Sequence, residues 1–231
     1  MGKDVIIACD FSSAEDTLNF LDKFEGKKPF VKIGMELFYA GGPEMVKTLK
    51  ARGHKIFLDL KLHDIPNTVK KAMSVLAKLD VDMTNVHASG ACKMMEAAVE
   101  GLRSNGSDAV LIAVTQLTST SEEQLHEDLL VGSSMEETVA HYAANAKKSG
   151  LNGVVCSPLE SPVVHANCGA DFVTVTPGVR LAGDAVGDQQ RVTTPAKAKE
   201  LGSDYIVVGR SITAAEDPVA AYERCVAEFV D

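Results

Sequence analysis

No apolar run in this 231-residue chain approaches the ~18 residues that a membrane-spanning helix needs. The polar start, Met1-Gly2-Lys3-Asp4, lacks the hydrophobic stretch of a secretory signal. A myristoylation signal would need Ser or Thr at position 6, which is Ile6. A soluble, cytoplasmic protein with no membrane partner is expected. Basic charge is also short: 23 Lys and Arg stand against 32 Asp and Glu, for a net charge of −9. That excludes the broad basic face used to bind nucleic acid without sequence preference. An anionic ligand must instead be held by a few basic side chains and backbone amides. The five cysteines (Cys9, Cys92, Cys156, Cys168, Cys225) are scattered without CxxC or Cys/His ligand spacing, which argues against a disulfide framework and against structural zinc. GxGxxG, GxxxxGK[ST], HExxH, DxDxDG and a nucleophile elbow are absent, so the common nucleotide-loop, metal and serine-hydrolase signatures do not apply.

What is present is a regular alternation. Short β-branched runs at Val5–Cys9, Phe30–Gly34, Lys55–Leu62, Met83–His87, Ala109–Leu117, Gly153–Ser157, Phe172–Thr176 and Tyr205–Val208 read as strands. Helical patterns lie between them. Ser12 and Glu15 stand at capping-box spacing ahead of Leu18, Phe20 and Leu21. Gly42-Pro43, Ser161-Pro162, Thr194-Pro195 and Asp217-Pro218 each place a cap residue before a proline that suits the first helical position. The interval from Ser121 to Gly150 predicts two helical pieces parted by the turn Gly132-Ser133-Ser134. Eight β/α alternations with no linker or low-complexity tract predict an α/β fold, a single (β/α)8 barrel domain over residues 1–231. The competing doubly wound sheet lacks its phosphate-binding fingerprint.

In such a barrel, active sites form at the C-terminal ends of the strands, and phosphate sites form in the loops after strands 7 and 8. The third run, Lys55–Leu62, carries Asp59 and Lys61 two residues apart among leucines, hence on one face of a regular strand, with Asp64 just beyond its end. Charges buried in a sheet are costly unless mutually paired. Lys32 on the second run completes an alternating set of two lysines and two carboxylates, Lys32, Asp59, Lys61 and Asp64, in which each charge offsets a neighbour's desolvation. An edge strand with one solvated face and an ordinary ion pair is the plainer alternative. Asp10 closes the first run, and Thr118 and Ser119 follow the fifth. After the seventh comes Pro177-Gly178 with Arg180, and after the eighth Gly209-Arg210-Ser211, two arginines that fit one phosphate. Surface ion pairs would be the plain account of both. Structural or solvated roles are expected for His54, His63, His87, His126, His141 and His165.

The segment Asp59-Leu60-Lys61-Leu62-His63-Asp64-Ile65-Pro66-Asn67-Thr68 resembles the DxKxxD(I/V)PNT signature of the orotidine 5′-phosphate decarboxylase family. The likeness extends in order through Asp10, Val31–Gly34, Gln116–Ser119, Thr176–Arg180, Asp188-Gln189 and Val208–Ser211. Magnesium-dependent relatives such as 3-keto-L-gulonate 6-phosphate decarboxylase share DxKxxD but place a metal-binding carboxylate where this chain has Lys32, and a lysine there would repel the metal. The resemblance implies cofactor-free decarboxylation of the nucleotide orotidine 5′-monophosphate to uridine 5′-monophosphate. It implies that Asp59 crowds the substrate carboxylate, that Lys61 donates a proton to C6, and that Lys32 and Asp64 hold both by pairing. It further implies that Asp10 and Lys32 bind ribose hydroxyls, Thr118 the pyrimidine edge, and Arg180, Gln189, Gly209 and Arg210 the phosphate. Asp64, Ile65 and Thr68 would enter the neighbouring subunit's site, making the protein a homodimer with shared sites. A magnesium-dependent sugar-phosphate enzyme and a catalytically silent nucleotide-binding barrel are the alternatives.

Overall fold

The computed structural model describes residues 3–184 and 192–231. Parallel strands β1 (Asp4–Ala8), β2 (Phe30–Ile33), β3 (Ile56–Leu62), β4 (Met83–His87), β5 (Val110–Val114), β6 (Gly153–Val155), β7 (Val173–Thr176) and β8 (Tyr205–Val208) follow one another around a closed barrel, with β8 paired back onto β1. The expected (β/α)8 barrel is therefore the observed fold. Between the strands run α1 (Ala14–Asp22), α2 (Met35–Ala51), α3 (Pro66–Leu76), α4 (Ala91–Arg103), α5 (Glu122–Glu127), α6 (Met135–Lys148), α7 (Ser161–Cys168) and α8 (Pro195–Glu200). The short α9 (Arg210–Thr213) and the terminal α10 (Pro218–Phe229) follow β8. Among the described residues no helix is long and apolar enough to cross a membrane.

The strands are buried on both faces, so the twofold alternation of side chains divides them between two cores. Val5, Ile7, Ile33 and Leu58 face the helices, whereas Ile6, Ala8, Phe30, Phe57, Met83 and Ile112 fill the barrel interior. Following the inward rows towards the C-terminal ends explains the placement of the site. Two residues beyond Ala8 stands Asp10, beyond Phe30 stands Lys32, beyond Phe57 stands Asp59, and beyond Met83 stands Asn85. The same alternation that plugs the barrel with apolar side chains thus delivers polar ones to its upper mouth.

Several local expectations shift. The first cap is Ser13, whose Oγ accepts the Asp16 N–H at 3.0 Å, one residue beyond the Ser12/Glu15 spacing. Gly42-Pro43 does not begin a separate helix; Gly42, at φ +60°, kinks α2 and lets the turn resume at Pro43. α7 is capped from Glu160, because Ser157 opens a 3₁₀ turn, Pro158–Glu160, that runs into it. Capping boxes at Ser121/Gln124 and Ser134/Glu137 start the two helices expected between residues 121 and 150. β5 stops at Val114 instead of Leu117, since its neighbours β4 and β6 have ended and the chain turns into the loop over the mouth.

The opposite rim repeats one device. Asp82, Asn152 and Asp204 immediately precede β4, β6 and β8, and their side chains accept the N–H groups of Ile56 (2.8 Å), Leu111 (2.9 Å) and Thr174 (2.8 Å) on the preceding odd strand. The first pair departs from this. Pro29 precedes β2, and its carbonyl instead accepts from Nδ1 of the buried His54 at 3.0 Å. Asp204 carries the most bonds of the set, also accepting from Thr174 Oγ1 and facing His165 Nε2 at 3.2 Å. Asp204→Ala strands these groups and is expected to lower unfolding free energy by about 1–3 kcal/mol. Urea titration would show this, with turnover unchanged because the site lies at the other end of the barrel.

Candidate active site

At the mouth, four charged side chains form one continuous chain. Asp10 Oδ1 lies 2.9 Å from Lys32 Nζ, Lys32 Nζ lies 3.3 Å from Asp59 Oδ2, and Asp59 Oδ1 lies 2.7 Å from Lys61 Nζ. Asp59 is only 6% exposed, so the pairing replaces water as the solvent for its charge. Burial by itself pushes the Asp59 carboxyl up, but Lys32 and Lys61 outweigh it and hold Asp59 below the usual carboxylate range. Burial pulls Lys32 down, while Asp59 and Asp10 more than offset this and leave its ammonium above the usual lysine value. The Asp59 contribution to stability is present above the unfolded carboxylate pKa and is lost as pH falls through the lower folded one. The Lys32 contribution is present below the unfolded lysine pKa and is lost as pH rises through the higher folded one. Both charges therefore coexist across the neutral range. Gly34 at the start of α2 leaves the room they need, as a Cβ there would stand 3.1 Å from both Asp10 Oδ1 and Lys32 Nζ.

The carboxylate that completes the array within one chain is Asp10, not Asp64. Asp64 is exposed, and its Oδ1 accepts the N–H of Ile65 at 2.6 Å. Residues 63–68 are all exposed at the rim, Ile65 by 67%, and Thr68 lies there too. The single chain thus brings together Asp10, Lys32, Asp59 and Lys61, and leaves Asp64, Ile65 and Thr68 facing outward.

Lys61 reaches Asp59 by a different route from a regular strand. The β3–β4 register breaks between Leu58 and Leu62, and Lys61 has φ +52°, a left-handed conformation uncommon for a residue with a side chain. Asn85 on β4, which sequence reasoning missed, occupies the break: its Nδ2 donates to Asp59 Oδ1 at 2.7 Å and its Oδ1 accepts the Lys61 N–H at 2.8 Å. The available signal was a lone amide at an inward position of an apolar run. The His63 and His87 rings lie 5.8 Å apart nearby. Burial first, then His63 and Lys61, press the His87 pKa down.

The mouth holds two joined cavities. One, of about 250 Å³, is lined by Lys32, Asp59, Lys61, Gln116 and Thr118 over an apolar floor that includes Phe57 and Val155. The other, of about 460 Å³, is lined by Asp10, Lys32, Gly178, Arg180, Gly209 and Arg210. Lys32, Pro177 and Val207 border both. The two loops of the second cavity are fastened together. Ser211 Oγ accepts the Leu181 N–H at 3.3 Å, and within the β7 loop Thr193 exchanges backbone bonds with Arg180 and Gly178. Gln189 lies outside the described residues. The cleft as a whole offers an anion-binding end, a charged middle and a half-apolar end of ring size.

Residues 3–225 match the model of the orotidine 5′-phosphate decarboxylase / HUMPS family. The chain belongs to that family. A protein of Geobacillus sp. (strain WCH70) named orotidine 5′-phosphate decarboxylase is 57% identical over 233 residues, covering 99% of this chain and 98% of the relative. A Bacillus cereus (strain AH820) protein of the same name is 58% identical over 227 residues, covering 96% and 95%. The crystal structure of orotidine 5′-phosphate decarboxylase from Lactobacillus acidophilus superposes with a TM-score of 0.89 at 46% identity, covering 99% of this chain and 100% of that one. Membership of the orotidine 5′-phosphate decarboxylase / HUMPS family agrees with the resemblance read from residues 59–68 and, in order along the chain, from Asp10 to Ser211.

Proposed function

We propose that the protein decarboxylates orotidine 5′-monophosphate to uridine 5′-monophosphate and CO2, the last step of de novo pyrimidine synthesis, with no cofactor. The observation that carries this reading is the Asp10–Lys32–Asp59–Lys61 chain at the junction of a ring-sized and an anion-binding cavity. A nucleoside monophosphate spans such a cleft: base beside Thr118, ribose hydroxyls on Asp10 and Lys32, phosphate on Arg180, Gly209 and Arg210; the resemblance adds Gln189, outside the described residues, to the phosphate set. Family membership and relatives named as this decarboxylase support the substrate.

The chemistry asks for what the charge chain supplies. Breaking the bond from C6 to the carboxylate leaves its electron pair in the ring plane, where the ring π-system cannot take it up. Stabilisation has to come from a fixed cation. Lys61 is that cation and also the acid: its ammonium transfers a proton to C6 as CO2 departs, and solvent later reprotonates the amine. Asp59, tethered by Lys32, Lys61 and Asn85, cannot swing away from the substrate carboxylate and favours its loss as neutral CO2. Two copies would complete two shared sites in a cytoplasmic homodimer, each lending Asp64, Ile65 and Thr68 to the other.

The test follows ultraviolet absorbance as the nucleotide is added to protein treated with EDTA. Undiminished turnover is expected, and none at all would remove this reading in favour of a metal-dependent or silent barrel. In the same assay Arg210→Ala is expected to cost orotidine 5′-phosphate about 100-fold or more in kcat/KM and the phosphate-free nucleoside far less, because the substrate bonds that are lost are those to its phosphate. Equal losses on both substrates would take the phosphate away from Arg210.

A further inference from the structure

Asn85 itself lines neither cavity, yet it is tied to the two residues on which the proposed reaction depends. It is wholly buried, and each end of its amide has one chemically determined partner. A backbone N–H can only donate, so Asn85 Oδ1 must be the atom on Lys61 N; a carboxylate accepts, so Nδ2 must be the atom on Asp59. Asp59 Oδ1 takes both this amide and the Lys61 ammonium, each at 2.7 Å. The bonds close a ring: Lys61 N–H to Asn85, Asn85 to Asp59, and Asp59 back to Lys61 Nζ. One amide thereby holds the lysine at its backbone and, through the carboxylate, at its reactive end.

This ring sits where the chain departs from regular structure. In regular alternation the Lys61 backbone would turn towards β2, whose pairing with β3 ends at Ile33 and Leu58, but the β3–β4 register breaks here and Lys61 turns to φ +52°. The Asn85 side chain supplies an acceptor for the Lys61 N–H inside this break, and it sustains a conformation that a lysine adopts only when its surroundings impose it. We propose that Asn85 is a positioning residue for the decarboxylation, fixing the Lys61 backbone in its left-handed conformation and clamping Asp59 against the Lys61 ammonium. The inference rests on the reading of Asp59 and Lys61 given under the proposed function. Asp59 meets Lys32 from β2, Lys61 from β3 and Asn85 from β4, with Asp10 beyond Lys32 and His87 beyond Lys61.

The experiment compares Asn85→Ala with the unaltered protein in three measurements: steady-state kinetics, affinity for uridine 5′-monophosphate by calorimetry, and the pH dependence of kcat. A displacement of the lysine by about 1 Å is expected to lower kcat about 100-fold, while KM and the nucleotide affinity stay within about threefold because the ligand's own contacts remain. Asp59 also loses a donor to its charged form, so the acid limb of the profile is expected to move to higher pH. A merely structural residue would lower the active fraction without moving that limb. Should Asn85→Ala not fold, Asn85→Ser carries the same comparison, since a hydroxyl is too short to reach both partners and an intermediate loss is expected. An unaltered protein that turns over substrate, beside a folded variant with kcat and acid limb unchanged, overturns the positioning role. An unaltered protein with no decarboxylation removes the proposed function instead.

Discussion

Lys61→Ala is expected to lower kcat on saturating orotidine 5′-monophosphate by about 10⁴-fold or more. General acid catalysis typically contributes 10²–10⁴-fold, and a fixed electrostatic partner of the developing charge roughly another 10²–10³-fold. One side chain supplies both, so the losses compound, although residues acting as a unit are not strictly additive. The fold has little stake in Lys61, which is partly exposed at the mouth and whose removal costs Asp59 one of its two cations. A melting temperature close to that of the unaltered protein, together with collapsed turnover, is the expected pair of observations. Near-native kcat on saturating substrate would end the assignment of Lys61 as proton donor.

The second large effect is a recovery. Asp64→Ala and Lys61→Ala proteins should each be nearly inactive alone, yet regain activity when their subunits are exchanged. Asp64 spends Oδ1 on the Ile65 N–H in the single chain, in an exposed run that includes Ile65 and Thr68, which suits a segment meant for a neighbour. In a mixed dimer one site carries both lesions and the other carries none. Random exchange of equal amounts makes half the dimers mixed, so about a quarter of the unaltered activity is expected. Mass spectrometry establishes the exchange, and the absorbance assay reads the activity. Subunit exchange without recovery would mean that each barrel's site is self-contained.

Much of this site can be read in the sequence because a barrel turns position along a strand into height along its axis. Asp10, Lys32 and Asp59 follow apolar residues of the same inward row, and Arg180 and Arg210 follow the last two strands, so local alternation and order alone carry all five to the mouth. The fold is legible for a similar reason: β-branched runs and cap residues are signals that act within a few residues. Small slips, such as the cap at Ser13 instead of Ser12, reflect the choice between adjacent hydroxyls that only the packing of α1 makes.

The sequence by itself determined the eight β/α units, the paired charges on β3, the lysine on β2 and the two arginine loops, because each depends on near neighbours in the chain. Only the tertiary structure decided that Asp10 rather than Asp64 completes the charge chain within one barrel, that β3 breaks register at Lys61, and that Asn85 fills the break. Those facts depend on which strands closure sets side by side and on how far a side chain reaches across the gap, and no spacing along one strand encodes either.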